Sequence, residues 1–306
     1  MGHHHEGHNH EHHHHHHTSN TKVLFFSFII IFLFMIVEAV GGFLTNSLAL
    51  ISDAGHMLSD AAAMGLSLVA FKIGEKKATM DKTFGYRRFE IIAAFINGAA
   101  LILIAIFIFY EAIQRFVEPP NVNGGMMIIA VIGLIINIVV AWLLMRGDSK
   151  ENLNLRSALL HVIGDLLGSV GAIVAGALIL LFGWNIADPI ASVIVAILII
   201  ISGFRITKDS MNILMEGKPE DINVTAIKES LSKMDGIEDV HDLHVWSITS
   251  EFPTLSCHLI VKKSIDRDLL LQQANEMIHH HFNISHCTIQ IEGINSTIHK
   301  ICNSCD

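Results

Sequence analysis

"LISDAGHMLSDAAAMGLSLVAF", residues 50–71, is apolar enough to lie in hydrocarbon, yet it carries Asp53, His56 and Asp60. An ionisable side chain at the centre of a bilayer costs about 2.5–3.5 kcal/mol on insertion scales. His56 and Asp60 are four residues apart and share one helix face, with Asp53 three residues before on nearly the same face. The device recurs in "SALLHVIGDLLGS", residues 157–169, where His161 and Asp165 repeat the H-x-x-x-D spacing. A chain that twice meets this cost has something to set against it.

The surrounding composition is that of a membrane protein. Of 306 residues, 51% are hydrophobic and only 16% charged, against roughly 25% in soluble domains. Mean hydropathy is +0.50. Six stretches reach the roughly 20 residues needed to span hydrocarbon, near 23–43, 48–72, 89–114, 126–145, 157–182 and 184–204. The first is too long for the apolar region of a signal peptide and lacks a small-residue cleavage site. Basic residues set the orientation. Lys72, Lys76, Lys77, Lys82, Arg87 and Arg88 lie between spans 2 and 3, and Arg146, Lys150 and Arg156 between spans 4 and 5. The other connections hold only Arg115, so the positive-inside rule places both termini in the cytoplasm of a multi-pass protein of the cell membrane.

Spans 1, 2 and 5 carry Glu38, Asp53, Asp60 and Asp165, and no span interior holds Lys or Arg. The carboxylates therefore need protons, a charged histidine or a metal ion. Two H-x-x-x-D helices side by side offer two imidazole nitrogens and two carboxylate oxygens, a donor set that suits tetrahedral Zn²⁺. Gly164 and Gly168, and Ala61 to Ala63, are small enough to allow close helix approach. Asn97 and Asn137 are single amides and read as interhelical polar contacts. The absence of thiolate from the spans argues against Cu(I) as cargo.

From 205 onward the pattern is that of a small folded domain with 9 Lys+Arg against 15 Asp+Glu, which argues against nucleic acid as partner. Helical periodicity at 223–234 and 266–282 alternates with strand-like runs at 240–249, 254–261 and 287–292. The order α-β-β-α-β predicts a ferredoxin-like layer of helices on a sheet. The expected organisation is a disordered His-rich tail over 1–21, a six-helix membrane domain over 22–204 and a cytoplasmic α+β domain over 205–306. Eleven of the 21 histidines precede Thr18. Their run at 12–17 has the form of an expression tag, but interspersed Glu, Gly and Asn favour a native metal-collecting tail.

Catalytic zinc keeps a position open for water, whereas four protein ligands would close this site. With neither an H-E-x-x-H nor a nucleophile motif, a membrane metalloenzyme is disfavoured. A metal sensor without transport would leave the intramembrane pairs unexplained.

"GGFLTNSLALISDAGHMLSDAAA", "TFGYRRFE", "LHVIGDLLGSVGAI", "ADPIASVIVA" and "VHDLHVWSIT" together resemble the cation diffusion facilitators, in particular their bacterial CzcD-like zinc exporters. The resemblance covers residues 22 to 292 nearly continuously. It implies a homodimer of six-helix protomers that exchanges cytoplasmic Zn²⁺ for protons, with a metallochaperone-like cytoplasmic domain. The family's transport site falls on His56, Asp60, His161 and Asp165, the residues that insertion cost selects, with Asp53 accessory. Its cytoplasmic ligands fall on His241, His258, His286 and Glu292, and Cys302 and Cys305 resemble a C-terminal C-x-x-C of vesicular-type zinc transporters. A second site that some members place between spans 2 and 3 uses a histidine where this chain has Tyr86, and it is not carried over. Alternation along a regular strand would send His241 and His244 to opposite faces.

Overall fold

The computed structural model describes residues 14–45, 48–117, 124–147, 149, 152–184 and 186–294. It forms two compact units, one from residues up to Lys76 together with Ile92–Thr207, the other from Lys77–Ile91 and from Lys208 onward.

The first unit is helical: α1 (His14–Thr45), α2 (Leu48–Gly74), α3 (Phe89–Val117), α4 (Gly124–Met145), α5 (Leu153–Phe182) and α6 (Ala187–Leu214). Among the described residues, α1, α3, α5 and α6 hold apolar runs of 22 to 27 residues, long enough to cross a membrane, and α4 holds a shorter one, Val131–Met145. Helix α1 begins at His14, so residues 14–21 are helical where polarity predicts a disordered tail. Extending a helix already nucleated in an apolar span costs little per residue. The rest of the predicted tail lies outside the described residues.

Local chemistry sets the limits of α5. Asn152 caps its start, accepting hydrogen bonds from the Asn154 and Leu155 amides at 3.0 and 3.2 Å. Gly183 ends it in the left-handed conformation at φ 68°, returning its N–H to the Ile179 carbonyl. Helix α5 therefore starts at Leu153, four residues before the span predicted from sequence, which brings Asn154 inside the helix.

Helices α1 with α2, and α4 with α5, pack along much of their lengths, whereas α2 and α5 meet over a short stretch. Leu24, Ile31, Met64, Phe71, Leu144 and Leu155 form the shared core. The closest helix approach marked by glycines is α3 on α6, where a Cβ added at Gly203 would lie 3.0 Å from the Gly98 carbonyl. Gly164 admits the Ile199 side chain of α6, and Gly168 faces open space. Gly164 thus allows the close approach its small size predicts, toward α6.

The second unit contains α7 (Val224–Ser232), β1 (Ile237–Ser247), β2 (Pro253–Val261), α8 (Arg267–Phe282) and β3 (His286–Gly293). The sheet order is β1-β2-β3, with β1 and β2 antiparallel and β2 and β3 parallel. This is the predicted α-β-β-α-β sequence, built on a three-stranded mixed sheet. Leu255, Cys257, Leu259 and Val261 turn one face of β2 toward Ile227, Leu231, Leu270, Ala274 and Ile278 of the helices. Alternation sends His258 to the other face, with Gln290 and Glu292 of β3. Residues 77–91 join this unit: Phe84 stands edge-on to His286 with ring centroids 5.6 Å apart, and Arg87 lies 4.7 Å from the Phe252 ring centre.

Candidate metal centres

Two clusters of metal-ligand side chains stand out among the described residues, one in each unit. In the first, Asp60 of α2 meets His161 and Asp165 of α5, with one ligand atom from each lying within 4.8 Å of the others. The i,i+4 spacing on α5 puts His161 and Asp165 on one face, and α2 supplies Asp60 from the opposite side. His161 Nε2 contacts Asp60 Oδ1 directly. Asp60 is fully buried and His161 nearly so, at 0% and 6% exposure. Two carboxylates and an imidazole thus converge, Asp60 and His161 buried and Asp165 half-buried, an arrangement whose electrostatics favour a cation at the centre. His56 and Asp53 lie on the helical backbone of α2, one and two turns before Asp60. Their side chains, like that of Glu38, lie outside the described residues.

The second cluster sits on the sheet face turned away from α7 and α8. His241 and His258 are direct cross-strand partners, with ring centroids 5.1 Å apart and planes at 86°. Glu292 enters from β3, its Oε1 3.2 Å from His258 Nδ1 and its Oε2 3.7 Å from His241 Nε2. Three buried atoms, His241 Nε2, His258 Nδ1 and Glu292 Oε2, make no hydrogen bond. Buried nitrogen and carboxylate atoms that face one another without hydrogen bonds suit a metal ion better than a hydrogen-bonded network.

A β-bulge between His241 and His244 alters the regular alternation, with Asp242 at φ 51°. As a result Asp242 bonds His244 at 2.8 Å through one oxygen and lies 3.6 Å from His258 Nε2 through the other. The His244 hydrogen bond holds the Asp242 carboxyl below the usual carboxylate range. Burial opposes this, and the charges of His244, His258 and His241 reinforce it. Asp242 and His244 thus border the cluster, which a regular strand would forbid; the bulge has no signature in the local sequence that we could read.

His286 is not gathered with these residues. It pairs in register with Thr254, six residues from Glu292 along β3, or about 20 Å at strand rise, and packs against Phe84 and Phe252 instead. Cys302 and Cys305 lie outside the described residues. The other two thiols face the helix side of the sheet, where burial pushes Cys257 up to about 12 and Cys287 up to about 11. They are packing groups.

Apolar membrane-length helices with buried metal-ligand groups, followed by a small α+β domain with a second such cluster, define a multi-pass membrane protein built to handle cations. Residues 24–215 match the family described as the cation efflux transmembrane domain, and residues 219–294 match the cation efflux protein, cytoplasmic domain. The chain belongs to the cation efflux family. It is 56% identical over 264 residues to the "Cadmium, cobalt and zinc/H(+)-K(+) antiporter" of Bacillus subtilis strain 168, covering 85% of each chain. It is 46% identical to the zinc transporter ZitB of Escherichia coli K12, covering 85% of this chain and 83% of that one. It is 40% identical to the metal cation efflux system protein CzcD of Cupriavidus metallidurans, covering 85% and 82%.

Proposed function

We propose that this chain is a secondary transporter that moves Zn²⁺, with Cd²⁺, Co²⁺ and Ni²⁺ as further cargo, out of the cytoplasm in exchange for protons. It acts as a homodimer in the cell membrane, with six spans and both termini in the cytoplasm. The transport site is His56, Asp60, His161 and Asp165, with Asp53 accessory. The carrying observation is the convergence of Asp60, His161 and Asp165 from two helices of the membrane unit. Neutral imidazole and ionised carboxylate are the metal-binding forms, so Zn²⁺ and protons compete for the same lone pairs. A site that holds a proton between metal loads is reset by the proton gradient that drives the metal out.

His241, His258 and Glu292 form a second, regulatory Zn²⁺ site in the cytoplasmic domain, supported by their three inward-facing atoms without hydrogen bonds. The transport reading is tested by Zn²⁺ flux in proteoliposomes under an imposed pH gradient. Flux that follows the gradient supports exchange; metal binding without flux would leave a sensor, and flux indifferent to the pH gradient would leave a uniporter or another counter-ion. Adding and removing K⁺ in the same assay tests whether it takes part, as the name of the Bacillus relative raises.

A further inference from the structure

The contact between Asp60 and His161 has a counterpart two helical turns away. Ser67 follows Asp60 by seven residues on α2, and Asn154 precedes His161 by seven on α5; because the helices run antiparallel, both displacements point to the same side. Seven residues of helix rise about 10 Å. At that level Ser67 Oγ lies 3.4 Å from Asn154 Oδ1, so α2 and α5 are joined by a polar contact at the cluster and by a second one beyond it. Asn97 brings in the third helix: its Nδ2 donates to Ser67 Oγ at 2.9 Å and to the Ala63 carbonyl at 3.2 Å. Ser67, Asn97 and Asn154 are all buried.

Between the two levels lies a cavity of about 10 Å³, lined by Asn97, Ser157 and His161 and left open by the small side chains of Ala63 and Ala158. That is space for about one water, with polar groups to hold it. The cavity connects the amide of Asn97 with the imidazole of His161.

We propose that Asn97, Ser67 and Asn154 form a hydrogen-bonded latch that closes the approach to the Asp60–His161–Asp165 cluster, with Asn97 as its positioning residue. This rests on the transport reading above, which places the latch on the cytoplasmic side of the site. Three features fit such a role. The latch lies where α2 and α5 meet only over a short stretch, so a small separation of the two helices breaks it. Ser67 has one hydroxyl hydrogen and two acceptors, Asn154 Oδ1 on α5 and the Ala63 carbonyl 3.2 Å away on its own helix. When α5 moves off, the hydroxyl turns to its own helix and no buried donor is stranded, which keeps the cost of opening low. Finally, the latch groups are neutral. Amide and hydroxyl oxygens lack the charge of carboxylate and the softness of imidazole, so they part for a divalent cation without retaining it.

The test measures how fast N-ethylmaleimide reacts at position 157 in the full-length protein carrying Ser157→Cys, read by peptide mass spectrometry so that the native cysteines do not interfere. Adding Asn97→Ala is expected to speed labelling roughly tenfold, equivalent to about 1.4 kcal/mol of population shift, while Zn²⁺ affinity stays within about threefold. Transport by Asn97→Ala should lose kcat with KM little changed. Ser67→Ala should act in the same direction. Unchanged labelling in folded Asn97→Ala overturns the latch, and so does loss of Zn²⁺ binding, which would make Asn97 part of the metal site. Failure of both variants to fold assigns the residues a structural role and overturns it as well. Labelling and binding need no transport, so faster labelling in a protein that moves no Zn²⁺ would contradict the transport reading alone.

Discussion

Nδ1 of His258 lies 3.2 Å from Oε1 of Glu292, whose side chain is almost wholly buried on a sheet face with no Lys or Arg beside it among the described ion pairs. Among the described residues, the Glu292 side chain reaches His258 on β2, His241 on β1 and Gln290 on its own strand. A cation bound here would tie all three strands together.

Binding Zn²⁺ should therefore slow amide hydrogen exchange across β1, β2 and β3. A ligand at 100 times its Kd stabilises the state that binds it by about 2.7 kcal/mol. Glu292→Gln keeps the shape and removes the charge, and most of the metal-dependent protection of these strands should disappear. Equal protection in the variant would show that the metal binds elsewhere.

Asp242 and His286 show where the sequence stops being readable. The meeting of Asp60 with His161 and Asp165 was legible because four residues are nearly one helical turn, and a helix inside a bilayer has little freedom to depart from that geometry. Strand positions carry no such guarantee. The bulge after His241 brings Asp242 and His244 to the edge of the cluster, and the length of β3 separates His286 from Glu292. Asn97 was legible as an interhelical polar group, but its partners Ser67 and Asn154 were not, because hydroxyls and amides are common on helices and their pairing depends on how three helices meet. Nor does composition reveal that residues 77–91 pack with the C-terminal unit, since that depends on Phe84 and Arg87 finding His286 and Phe252.

Cys257 offers a check on the sheet's buried face. With its thiol pushed up to about 12, only roughly one molecule in ten thousand is thiolate at pH 8. Iodoacetamide should leave Cys257 unmodified in the folded protein at pH 8 and react once it is unfolded. The sign of the linked stability follows. An unfolded thiol loses its proton near pH 9, so stability is full below pH 9 and falls as pH rises toward about 12. A denaturation midpoint of this domain that rises over that range would contradict the burial.

Two glycines on neighbouring helices should respond oppositely to alanine. At Gly203 the new Cβ would lie 3.0 Å from the Gly98 carbonyl and from Ile102, so α3 and α6 must separate and thermal stability should drop by several degrees. At Gly168 it meets nothing within 4 Å, and the gain in helix propensity, about 0.8–1.0 kcal/mol in water, should leave stability unchanged or raised. Equal losses at both positions would mean the α3–α6 contact is not a tight one.

His56→Asp should change metal choice rather than stop transport. The substitution replaces a borderline nitrogen donor with a hard oxygen, which tilts the site toward ions that accept oxygen ligands. Competition among Zn²⁺, Cd²⁺ and Mn²⁺ in the flux assay reads this directly. Ratios identical to those of the unaltered protein would remove His56 from selectivity.

If Asp60, His161 and Asp165 hold Zn²⁺ in place of protons, calorimetric titration of the detergent-purified protein detects the exchange. Titrating Zn²⁺ in buffers of different ionisation enthalpy counts the protons released per metal bound. Glu292→Gln in the same chain separates the membrane site from the cytoplasmic one. Exchange requires release of at least one proton per Zn²⁺ between pH 6 and 7.5, and loss of that binding event, by about a hundredfold in affinity or more, in Asp60→Ala and Asp165→Ala. Undiminished binding in both aspartate variants, or Zn²⁺ binding with no proton released, would contradict it.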